Sequence, residues 1–244
     1  MTETPSTSLV VAAIGDAVAD LATPPFRGVF WRSLGVTLAI VAIVWAIGTR
    51  LVTGTAVDLA AAHPVDLPHW LVAVRWIAGF LSGAMLMVVL SFLIAPITTG
   101  VAGLFLDEVA EAVERGHYSG EAPGRALPLW PSLMTAARFT ALSLAVNLVA
   151  LPLVLFAGFG LVVFTVANGW LIGREYFEFA AARRVGPEAA RRLREAHAGT
   201  AFLAGIAAAV LLSVPLLNLL TPLFATATMV HLVTRLTASP PGGR

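Results

Sequence analysis

The chain has 244 residues, of which 58% are hydrophobic and 12% charged. Soluble domains carry about 25% charged residues, so a soluble enzyme or a nucleic-acid-binding module is excluded and the lipid bilayer is the expected solvent. The net charge is +1, every basic residue is arginine and cysteine is absent, which excludes disulfides, thiolate metal sites and a cysteine nucleophile.

Residues 1–33 read as an N-terminal lead-in. Met1 to Ala22 lacks the basic start and apolar core of a signal peptide and carries Asp16 and Asp20, so a polar, helical, cytoplasmic segment is expected. Leu34 to Val52 is an uninterrupted apolar run, long enough for a spanning helix. Thr53 to His69, with Gly54, Pro64 and Pro68, reads as a turn-rich loop. A second span follows at 70–95.

After Pro96, helical spacing resumes. Val101, Leu104, Phe105, Val109 and Val113 recur at three- and four-residue steps, with Asp107, Glu108, Glu111 and Glu114 largely opposite. The second span is therefore expected to continue as an amphipathic cytoplasmic arm ending at Gly116. Gly120 to Pro131 is a loop.

Two apolar blocks, 139–168 and 201–232, have an unusual length for membrane helices. Each would be about 45 Å long as one helix, against a hydrocarbon core of about 30 Å. Pro152 lies near the middle of the first block, Pro215 and Pro222 in the second. Proline removes a backbone donor and clashes with the preceding turn. Each block reads as a helical hairpin broken at proline, the alternative being one long tilted helix. Four spanning elements with re-entrant legs and six short spans give the same loop sidedness. Between the blocks, arginines and glutamates alternate from Gly173 to Gly199, and Gly186-Pro187 divides them into two short helices. Residues 239–244, Ser-Pro-Pro-Gly-Gly-Arg, are expected to be a disordered tail.

The expected fold is an all-α polytopic membrane protein: two long spanning helices, two proline-broken hairpins and the arm, in a single membrane domain over 34–238. Arginine placement puts the N- and C-termini in the cytoplasm. Five of the six tryptophans fall near the expected interfaces, as an aromatic belt requires.

One set of segments goes further. Asn168-Gly169-Trp170-Leu171-Ile172-Gly173-Arg174-Glu175-Tyr176-Phe177 is followed by Ala204-Gly205, by Val214-Pro215-Leu216-Leu217-Asn218-Leu219-Leu220-Thr221-Pro222, and by Ala227 to His231. Together they resemble the CysZ-type sulfate permease family, within the etoposide-induced protein superfamily. The resemblance is closest over the last third of the chain and extends to Ala95-Pro96 and the acidic arm. It implies a multi-pass permease or channel of the bacterial inner membrane that moves sulfate inward for cysteine synthesis. The family's anion-contacting element is present in approximate form, as Pro24-Pro25-Phe26-Arg27-Gly28-Val29-Phe30-Trp31-Arg32.

That stretch holds the candidate substrate-binding residues, Arg27, Gly28 and Arg32. A helix N-terminus favours anions, an arginine fork suits a tetrahedral oxyanion, and glycine permits close approach. The alternative is that both arginines are interfacial anchors. Pro152, Pro215, Asn218 and Pro222 are read as hairpin-structural: an amide between two prolines can donate to carbonyls that proline leaves unpaired. Asn147 has the same reading near Pro152. His231 is placed at the interface, with proton relay as the alternative. The Arg183–Arg194 cluster reads either as a solvated helical pair or as an attractor of anions and acidic headgroups.

No nucleotide loop, zincin motif or Gly-x-Ser-x-Gly element occurs, so no catalytic residue, cofactor or metal is expected. The expected partners are sulfate, lipid and further copies of the chain, because two early spans cannot shield two broken hairpins from lipid on all sides. A non-transporting membrane scaffold is the alternative function.

Overall fold

The computed structural model of the chain describes residues 7–62, 69–126, 134, 141, 145, 160–214 and 217–238. It is all-α, with no strand among the described residues. The helices are α1 (Thr7–Leu21), α2 (Pro24–Ala62), α3 (His69–His117), α4 (Gly160–Val185), α5 (Pro187–Ala196), α6 (Ala198–Leu212) and α7 (Thr221–Thr237), with a 3-10 turn at Leu217–Leu220. The chain divides into two compact units, one formed by Met1–Ser33 and Ala102–Arg244, the other by Leu34–Val101.

The smaller unit holds the apolar stretches of α2 and α3. Pro24–Arg50 is long and apolar enough to cross a membrane, and 6% of that window is buried. Leu38, Ile43, Trp45 and Ile47 on α2, and Phe80, Leu81, Met85 and Met87 on α3, are exposed. A helix with large apolar side chains turned outward is matched to lipid, since in water such a surface would be a binding or aggregation patch. Gly48 lets Leu86 pack over α2: a Cβ there would lie 2.6 Å from the Leu86 Cδ1.

Helix α2 runs to Ala62, so Thr53–Ala62 is helical where Gly54 suggested a loop. Ala56, Ala60, Ala61 and Ala62 with Leu59 are strong helix formers, and a single glycine inside a helix costs only about 1 kcal/mol. Helix α3 continues through Pro96 to His117, as expected for the arm. Val101, Val109 and Val113 are buried, as their spacing requires, whereas Leu104 of the same series is 64% exposed. Glu114 is buried too, a departure from the expected solvated acidic face whose cause is an ion pair described below.

In the larger unit the core is α7, buried on every side from Leu223 to Thr234. A helix enclosed all round sits inside protein, which is why it can carry Thr226, Thr228, His231 and Thr234 at membrane-compatible length. Thr226 donates to the Pro222 carbonyl at 2.7 Å, the usual way a buried helical hydroxyl is satisfied. Helices α4, α6 and α7 pack on one another, and α1 closes over α6 and α7. The N-terminal segment is helical as expected, and Val10, Ala13, Ala17 and Asp20 are buried against this core.

The 201–232 block is two packed helices, α6 and α7, either side of a short break, which is the form of a helical hairpin. The Ser213 N–H turns back to the Val210 carbonyl at 3.2 Å. Leu217–Thr237 is long and apolar enough to span, whereas α5 and α6 meet at a bend of 91°. Pro215 lies outside the described residues, as do Asn147 and Pro152 with most of the 139–168 block. Of that block, residues 141, 145 and 160–168 are described, and α4 runs from Gly160 through Gly173 to Val185 as one helix. The end of the 139–168 block and the first arginine-rich helix are thus continuous. Gly186 ends α4 at φ 84°, ψ 163°, a conformation open almost only to glycine, and Pro187 starts α5 with a preset φ.

Candidate functional site

Helix α2 starts directly at Pro24, after Thr23 has closed the end of α1 by donating from its hydroxyl to the Asp20 carbonyl at 2.6 Å. Phe26 and Val29 are buried in the core of the larger unit, which turns Arg27 and Arg32 outward. The first turn is poor in backbone donors. Pro24 and Pro25 have no N–H, and the Arg27 N–H is bonded to the Thr23 carbonyl at 3.1 Å. An anion at this helix end would be held mainly by side chains and the dipole.

Arg32 is engaged: it pairs with Glu108 at 2.8 Å and its Nε–H donates to the Gly28 carbonyl at 3.3 Å. Arg27 is exposed, and no carboxylate lies within 4.0 Å of it among the described residues. A Cβ built on Gly28 meets nothing within 4 Å, so the space beside Arg27 is open.

Among the described residues, most other arginines of the larger unit are neutralised. Arg183, with a fully buried side chain, pairs with Asp107 and with Glu114 at 3.2 Å, which explains why Glu114 is inside. Arg184 pairs with Glu121, Arg194 with Glu178 at 2.6 Å, and Arg235 with Asp16. These pairs fasten the arm and α5 to α4, and α1 to α7. A cleft of about 350 Å³ lined by Glu111, Glu114, Arg115, Glu121 and Arg184 has both of its cations paired, so it offers no net positive charge. Of the expected arginine cluster, Arg191 and Arg192 are exposed, while Arg183, Arg184 and Arg194 serve the fold.

Sequence spacing gave no sign of a second polar centre. Asp20 at the end of α1, His117 at the end of α3 and His231 on α7 converge. The His231 Nε2 lies 2.9 Å from one Asp20 carboxylate oxygen and the His117 Nε2 lies 2.8 Å from the other. The Tyr118 hydroxyl is 2.9 Å from the His231 Nδ1. Burial alone would push the Asp20 carboxyl up, but hydrogen bonds from His231 and His117 outweigh it and hold the carboxyl below its ordinary range. His231 is completely buried; the partners that make this tolerable are 211 and 113 residues away.

The hairpin residues behave as follows. Asn218 lies in the 3-10 turn, its backbone N–H bonded to the Val214 carbonyl at 2.8 Å, and its side chain is exposed. Pro222 occupies the first turn of α7. A close crossing of α4 and α6 positions these elements. A Cβ on Gly205 would fall 2.6 Å from the Gly173 nitrogen and against the Gly169 carbonyl, and one on Gly169 would meet the Ile206 Cα at 3.1 Å. The signal was present as Gly169-x-x-x-Gly173, a small-residue spacing that lets helix backbones touch.

No match is found among curated proteins. A family model described as Sulfate transporter CysZ/Etoposide-induced protein 2.4 matches residues 13–222, from α1 to the start of α7. With an all-α membrane architecture beneath it, the chain belongs to the sulfate transporter CysZ/etoposide-induced protein 2.4 family.

Proposed function

We propose that the protein is a permease or channel for sulfate and related oxyanions in a bacterial inner membrane, supplying sulfur assimilation. The family match carries this proposal; Arg27, exposed and with no carboxylate within 4.0 Å among the described residues, at the head of a helix long and apolar enough to cross a membrane, supports it as the anion contact. In this account Arg27 makes the first contact with the anion and Gly28 leaves room for it. Arg32 becomes a second fork when Glu108 releases it. The protein acts as a homo-oligomer with both termini in the cytoplasm. No ATP-binding motif occurs in the sequence, so the drive is an ion gradient or a partner.

A hydrogen bond to a charged group is worth roughly 1.5–3 kcal/mol, and about 1.4 kcal/mol is tenfold in affinity. Arg27→Ala is therefore expected to weaken equilibrium binding of labelled sulfate to the purified protein by at least about tenfold. Arg27 is exposed, so folding should be unaffected, as size-exclusion chromatography would check. Unchanged sulfate affinity would remove Arg27 from the site.

A further inference from the structure

Asp20, His117 and His231 are supplied by three helices distant in sequence, and one ligating atom from each lies within 4.8 Å of the other two. Both imidazoles point Nε2 at the same carboxylate, and their rings meet edge to face with centroids 4.9 Å apart. We propose that these three residues form a binding site for a divalent transition metal of the zinc type. The proposal is independent of the transport function.

Two imidazole nitrogens and one carboxylate oxygen are the donors that zinc and its first-row neighbours prefer, and without cysteine the set does not select a soft monovalent ion. A ligating histidine needs its other ring nitrogen fixed by an outer partner. Tyr118 supplies this for His231: with the Nδ1–H donating to the phenolic oxygen, the Nε2 lone pair faces the metal. Modest movement suffices. Ligand atoms of a tetrahedral ion with bonds of about 2.0–2.2 Å stand about 3.3–3.6 Å apart, so the pairs at 2.8 and 2.9 Å, each on a different Asp20 oxygen, open by about half an ångström, while the widest pair closes from within 4.8 Å.

Access is one-sided. The His231 side chain is 0% exposed and that of Asp20 7%, whereas His117 is 41% exposed, so an ion enters past His117. Three protein ligands leave a fourth position on that side for water or an anion. Bound metal would tie α1 and the end of the acidic arm to the central helix α7, adding to stability by mass action.

The test uses the full-length, untagged protein, stripped with chelator and titrated with cobalt(II), then with zinc. One equivalent of cobalt should produce the visible bands of a tetrahedral site, and zinc should displace it and raise the thermal stability. His117→Gln changes a half-exposed residue and should weaken binding at least tenfold, with Tyr118→Phe weakening it about 10–100-fold. A variant with His63, His69 and His197 all changed to Gln should bind as the parent does. Failure of the parent to take up a stoichiometric ion would overturn the proposal. So would full affinity in His117→Gln, or loss of binding in the triple variant.

Discussion

Gly205→Ala adds one methyl group at the tightest helix crossing of the larger unit. The new Cβ would stand 2.6 Å from the Gly173 nitrogen and 2.7 Å from its Cα, where ordinary contact begins at 3.4 Å. Both obstacles are backbone, so no rotamer change relieves them, and α4 and α6 must part by about 0.8 Å or more. Separations of about 0.5–1 Å forfeit a quarter to a half of each dispersion contact along an interface, and overpacking of this kind costs roughly 1–3 kcal/mol. Against this, alanine is a better helix former than glycine by roughly 0.5–1 kcal/mol. The clash wins. In a domain of this size about 1 kcal/mol moves the melting temperature by roughly 2–4 °C, so a drop of several degrees is expected in detergent, followed by tryptophan fluorescence. Gly199→Ala is the control, because a Cβ there meets nothing within 4 Å. A melting temperature for Gly205→Ala equal to or above the parent's would refute the close-crossing account.

Arg183→Ala leaves Glu114 and Asp107 without their buried cation and should cost about 3–5 kcal/mol; adding Glu114→Gln should restore part of the lost thermal stability. Gly186→Ala forces a side chain into φ 84°, ψ 163° and should cost roughly 1–3 kcal/mol, read from the same melts. Gly28→Ala enters open space, so stability should hold or rise while sulfate affinity falls. A Gly28→Ala protein that binds sulfate as the parent does would exclude close approach of the anion to this helix turn.

Local chemistry was the legible part of this fold. Gly186-Pro187 marked the break between α4 and α5, and the resumed spacing after Pro96 marked the arm that ends at His117. These features depend on neighbours in sequence. Glu114 was read as solvated because periodicity assigns a face but cannot see that Arg183, 69 residues away, neutralises it. The same limit hid Asp20, which looked like part of a polar lead-in, and His231, whose burial requires that aspartate. Arg27, Gly28 and Arg32 are nominated as the anion site by the sequence alone. That Glu108 already occupies Arg32 follows only from the packing of α3 beside the head of α2.

Transport itself is read by uptake of labelled sulfate into proteoliposomes, with sulfite, thiosulfate and phosphate as competitors. Saturable uptake by the parent protein and strongly reduced uptake by Arg27→Ala are expected. Absence of flux, in vesicles whose protein is shown to be folded, would contradict the proposed transport and favour a non-transporting scaffold.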